Sequence, residues 1–182
     1  MIQMNGTSLT LEQVIAVARC GEEASLTPQA EAAMDKARRY VDGKLAEHAV
    51  VYGLTTGFGK FSDTFVPEEE TALLQRNLIV SHACGMGAPL PTEVVRAAML
   101  LRCNALSRGN SGIRRSTVET LLAMLNRGVH PIIPEKGSLG ASGDLAPLAH
   151  MVLVMLGEGE AEYRGVRMSG KEAMDRAGIP TV

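Results

Sequence analysis

Residues 137–150 read GSLGASGDLAPLAH. Gly137, Gly140 and Gly143, with the small residues Ala141 and Ser142 among them, stand immediately ahead of a run that stays mostly apolar to Leu156. Glycine lets the backbone turn tightly, and the aliphatic run supports a helix sunk in a core, so the stretch predicts a bent loop feeding a buried helix. Pro147 falls in the first turn, where it is tolerated, and Ser142 or Asp144 is the expected N-cap.

Helical periodicity extends outward on both sides. Thr10 and Gln13 have capping-box spacing ahead of Leu11, Val14, Ile15 and Ala18, and Gly21 ends that pattern. Thr27 precedes Pro28, after which Ala30, Met34, Ala37, Val41 and Leu45 mark a longer helix. A third helix is predicted from Pro67 and its following glutamates, through Leu73, Leu74 and Leu78, fading near Gly85. A fourth starts at Pro91 with Val94, Ala98, Leu101 and Ala105 as its buried stripe; a fifth starts at the Ser116/Glu119 capping box and stops at Gly128. Residues 163–168 alternate about Gly165 and predict a small hairpin, and Ser169 with Glu172 caps a last short helix. Residues 50–63, VVYGLTTGFGKFSD, lose all helical period and form a glycine-rich loop. The fold class expected is mainly α, as one domain over residues 1–182.

Composition narrows the function. Lys+Arg 18 against Asp+Glu 20 gives a net charge of -2, without the basic field that neutralises phosphates, so nucleic acid is not an expected partner. Aromatic residues are 3% with no Trp, which leaves an aliphatic, helix-favouring core. Cys20, Cys84 and Cys103 are odd in number and far apart, without a CxxC or a secretory segment, so a reduced cytoplasmic protein is expected, with no membrane span. The four histidines show no metal-ligand spacing, the glycines at 57 and 59 lack the third of a dinucleotide fingerprint, and Asp144 stands where a GxSxG elbow needs glycine. Metal, phosphate-cradle and serine-hydrolase chemistry are therefore disfavoured.

The Ala141-Ser142-Gly143 triplet permits another chemistry. With no Cβ on Gly143, its amide nitrogen can approach the carbonyl carbon of Ala141. Ring closure with loss of two waters, one taking the Ser142 hydroxyl, leaves an imidazolone with an exocyclic methylidene. That group is an electrophile, which the side chains of the twenty residues do not provide.

These residues resemble the signature of the histidine/phenylalanine ammonia-lyase family, whose cofactor is 4-methylidene-imidazol-5-one (MIO). Three more segments agree in order: YGLTTGFGKF at 52–61, QRNLIVSHACGMG at 75–87 and LRCNALSRGNSGI at 101–113. SHACGMG is more similar to the histidine-specific members than to the phenylalanine or tyrosine enzymes. The resemblance implies an MIO formed autocatalytically from Ala141, Ser142 and Gly143, to which the amine of L-histidine adds. It implies Tyr52 as the general base on a mobile loop, with Gly53 and Leu54 beside it at the substrate, and His82 against the substrate imidazole. Backbone N–H groups at Asp144 and Leu145 would polarise the MIO carbonyl. Urocanate and ammonia are the implied products. Family members are longer homotetramers whose sites combine several subunits, so the resemblance implies an N-terminal portion, inactive alone and prone to self-association. Alternatives are an MIO aminomutase, a phenylalanine or tyrosine lyase, or a helical assembly module without turnover.

Overall fold

The computed structural model describes residues 1–62, 66 and 68–182. Asp63 and Pro67, where the loop was expected to end and the third helix to open, lie outside the described residues, as do the side chains of Glu68 and Glu69. Seven α-helices dominate the described residues, so the fold is mainly α as its composition predicts.

The helices begin where local chemistry can start them. In α1 (Leu11–Cys20) the Gln13 N–H donates to Thr10 Oγ1 at 3.3 Å while the Thr10 N–H donates to Gln13 Oε1 at 3.0 Å, completing the capping box. Gly21, with φ of 71°, closes the helix in the left-handed conformation. Thr27 caps α2 (Pro28–Ala46), with Pro28 in the first turn. Next come α3 (Glu68–His82), α4 (Thr92–Leu106), α5 (Arg115–Arg127), α6 (Leu145–Met155) and α7 (Gly170–Arg176), the last capped by Ser169 accepting from the Glu172 N–H. No helix among the described residues is long and apolar enough to cross a membrane.

Short strands stitch these helices together. β1 (Ile2–Met4) and β2 (Ala24–Leu26) pair in parallel, β3 (Met86–Pro89) pairs antiparallel with β5 (Pro134–Lys136), and β4 (Val129–Pro131), β6 (Glu160–Tyr163) and β7 (Val166–Ser169) form an antiparallel sheet. The β6–β7 hairpin is the one expected from sequence, turning through Arg164 and Gly165, both at positive φ. The other strands are three or four residues long, too short for an alternating pattern to be read.

The core is aliphatic and rich in thioethers: Met4, Met34, Met99, Met124, Met151, Met155 and Met174 are all fully buried. Arg96 lies among them. Its guanidinium donates to the carbonyls of Val17 (2.7 Å) and Ala18 (3.2 Å) near the end of α1, to Leu125 O (2.9 Å) near the end of α5, and to His130 Nε2 (3.1 Å) on β4. A buried cation is thus matched by the negative ends of two helix dipoles rather than by a carboxylate.

Two expectations are corrected and a third is met in part. The buried stripe of α4 is Val95, Met99, Leu100, Cys103 and Leu106, whereas Val94, Leu101 and Ala105 are exposed. Both rows satisfy the three-four spacing, and packing against α1 and α5 selects one. The Ser116/Glu119 box does not form: α5 begins at Arg115 after Arg114, with no side-chain cap. Glu119 is instead paired with Arg115 at 3.3 Å, an i,i+4 contact that occupies the acceptor. Asp144 occupies the N-cap position of α6, one of the two residues expected there, but its side chain makes no capping hydrogen bond.

Candidate active site

A cavity of about 530 Å³ opens between the Tyr52 loop, α3 and α6, lined by Tyr52, Phe58, Leu78, Ile79, His82, Arg102, Leu145, Leu148, Ala149 and Val152. The walls are mainly hydrocarbon. Its polar groups come from Tyr52, His82 and Arg102, so a ligand with an apolar body and a few polar handles fits.

Tyr52 is presented by a loop that satisfies its own backbone. The buried Thr55 hydroxyl accepts from the Val51 N–H (2.8 Å) and donates to Ala49 O (2.8 Å). The Thr56 hydroxyl accepts from the Gly53 N–H (3.2 Å) and donates to Gly57 O (3.0 Å). The Gly59 N–H donates to the Tyr52 phenol oxygen at 3.3 Å, and the Tyr52 and Phe58 rings meet edge-on with centroids 5.9 Å apart. Gly53 has φ of +69°, and a Cβ there would lie 2.8 Å from the Phe58 ring, so glycine is required on two counts. Gly53 and the half-buried Leu54 hold this turn and are not among the cavity-lining residues.

His82 is the last residue of α3. Its Nδ1 lies 2.8 Å from Leu78 O, which places the ring proton there and leaves Nε2 as an acceptor. The helix C-terminus therefore sets the tautomer of a ring that lines the cavity.

Ala141 and Ser142 are exposed in a turn, and Gly140 and Gly143 have φ of +78° and +68°. Gly143 holds a positive φ that L side chains rarely adopt, and a Cβ there would also displace the Ser138 hydroxyl 2.6 Å away, so the third position of the triplet favours glycine in this conformation. The triplet does not line the cavity; the lining begins two residues later at Leu145. Because α6 has no side-chain cap, its first N–H groups remain free to receive a carbonyl oxygen. A small-residue turn with glycine favoured by a positive φ, set on a helix N-terminus without a side-chain cap, suits an MIO.

Tyr52, His82 and Leu145 are thus brought together around one cavity. Phe58 and Arg102 were not singled out in the sequence. Phe58 had a signal, being an aromatic inside a glycine loop; Arg102 had none, since an arginine on a helix usually faces solvent.

A family model for aromatic amino acid lyases matches residues 9–182. A histidine ammonia-lyase from Alkaliphilus metalliredigens is 61% identical over 181 residues, covering 100% of this chain and 36% of that protein. Among solved structures, Treponema denticola ergothionase superposes with a TM-score of 0.95 at 35% identity, and Pantoea agglomerans phenylalanine aminomutase with 0.94 at 36%. Both superpositions cover 100% of this chain, and 36% and 35% of theirs. The chain therefore spans about a third of the length of the relatives it matches.

Proposed function

Since this chain belongs to the aromatic amino acid lyase family, we propose that it carries the electrophile and the base of a carbon–nitrogen lyase that converts L-histidine into urocanate and ammonia. The observation that carries this reading is the convergence of Tyr52 and His82 on a cavity walled in part by the helix that begins two residues after Ala141-Ser142-Gly143. The high identity to a histidine ammonia-lyase supports histidine as the substrate.

Ala141, Ser142 and Gly143 would form the MIO, held by the Asp144 and Leu145 N–H groups; its methylidene carbon supplies an electrophile that makes the substrate amine a better leaving group. His82 Nε2 accepts the imidazole N–H, an interaction a phenyl ring lacks, and so discriminates strongly against phenylalanine. Entering as the phenolate, with its oxygen oriented by the Gly59 N–H, Tyr52 would take the β-proton and become the phenol. Gly53 and Leu54 keep that loop in shape at the substrate. Leu78, Ile79, Leu148 and Val152 exclude water. Turnover is assigned to a homotetrameric enzyme of the relatives' length, with this chain inactive alone. A cytoplasmic setting belongs to the same proposal, and the three free cysteines support it.

Intact mass is the direct test: the chain is expected to be lighter by two waters, and Ser142→Ala is expected to abolish that loss. Full lyase activity in Ser142→Ala within the complete enzyme would refute the assignment. The likeness to the Pantoea aminomutase favours an MIO aminomutase as the second reading, and product analysis, urocanate against a β-amino acid, separates the two.

A further inference from the structure

Helix α6 presents two working faces. Leu145, Leu148, Ala149 and Val152 line the cavity, while Ala146 and His150, one turn apart, face a junction of three chain segments. At that junction the Gly85 N–H donates to His150 Nε2 at 3.0 Å. A Cβ on Gly85 would stand 3.0 Å from the same nitrogen and 3.2 Å from Pro134. A Cβ on Gly137 would stand 3.1 Å from Gly85 Cα and 3.2 Å from the Ala146 Cβ. Two glycine backbones are therefore in contact, and His150 pins one of them.

The junction joins the two halves of the site. Gly85 lies three residues after His82, and Gly137 lies four residues before Ala141. Whatever fixes Gly85 against Gly137 and α6 fixes the His82 ring relative to the triplet turn. We propose that His150, acting through the Gly85 N–H, is a positioning residue that sets the register between His82 and the Ala141-Ser142-Gly143 turn. The inference rests on the function proposed above only for the meaning of that register; the register itself is a property of the fold. Burial of His150 holds its pKa below the usual histidine range, which keeps Nε2 available as an acceptor at neutral pH.

The test is solution NMR on the 182-residue chain, comparing wild type with His150→Leu, His150→Gln and Gly137→Ala. His150→Leu removes the acceptor, so exchange of the Gly85 amide is expected to accelerate about tenfold, the equivalent of one hydrogen bond. The His82 ring resonances and the amides of residues 140–143 are expected to shift together. His150→Gln, which keeps an acceptor, is expected to restore most of the wild-type positions. Gly137→Ala presses on the junction with His150 intact and is expected to move the same two groups, which keeps the test decisive if His150→Leu does not fold. Unchanged His82 and 140–143 resonances in the folded variants would overturn the proposal, as would equal perturbation by Gln and Leu. The mass of wild type against Ser142→Ala is a separate measurement, so loss of the cofactor assignment leaves this result readable.

Discussion

Gly53 and Thr55 show how few atoms hold the Tyr52 loop. Gly53→Ala adds one methyl group at a positive φ and 2.8 Å from the Phe58 ring, so Phe58 must move and take the Tyr52 ring with it. The cost is about 1–2 kcal/mol of local stability, visible as faster amide exchange across residues 51–59 with little change in the global unfolding midpoint. Thr55→Ala strips a buried hydroxyl from both the Val51 N–H and Ala49 O, costing about 1–3 kcal/mol by the same readout. In the complete enzyme, Tyr52→Phe is expected to lower kcat far more than it raises KM for histidine; the reverse pattern in steady-state kinetics would contradict the role of a base. Tyr52, His82 and the triplet could be singled out in the sequence by residue type and motif, and the fold sets Tyr52 and His82 on one cavity. Thr55 and His150 could not, because each acts through a backbone contact that only the folded chain creates.

Between elements, the Arg96 hub joins the ends of α1 and α5 to β4, and its last ligand titrates. Burial, and then the neighbouring Arg96 charge, hold the His130 pKa below its ordinary value. A histidine whose pKa is depressed by folding leaves stability intact above its unfolded pKa. That stability is lost as pH falls from the unfolded value of 6.5 towards the lower folded one, because the unfolded chain takes up the proton first. Urea midpoints are therefore expected to fall between about pH 7 and 5, within the range of unperturbed histidine. The fall is expected to be smaller in His130→Asn, and His150, whose pKa burial lowers in the same direction, contributes to what is left. A pH-independent midpoint would remove the hub from this role. The same scale explains which helices were readable. Thr10, Thr27 and Ser169 are caps that bond within three residues, so the sequence alone locates them. The start of α5 turns on a local competition, Arg115 taking Glu119 within the same helix, whereas the buried face of α4 depends on neighbouring helices, information that lies far off along the chain.

Across the whole molecule, apolar surface is left uncovered in regular rows. Leu73 and Val80 on α3 are 57% and 43% exposed, and Val94 and Leu101 on α4 are 43% and 49% exposed. Each pair is spaced i,i+7 and so falls on one face of its helix. Self-association of the chain is therefore expected, read as a weight-average mass in sedimentation that rises with protein concentration. Leu101→Lys is expected to reduce it without lowering the unfolding midpoint, because the side chain already meets solvent. The thioether-filled interior has a further consequence. Met1 and Met86 are open to solvent, whereas seven other methionines are sealed in. Dilute peroxide will therefore oxidise the outer pair promptly and reach the sealed set only when the core opens, so successive gains of single oxygen atoms in the mass spectrum become a clock for how often this protein breathes.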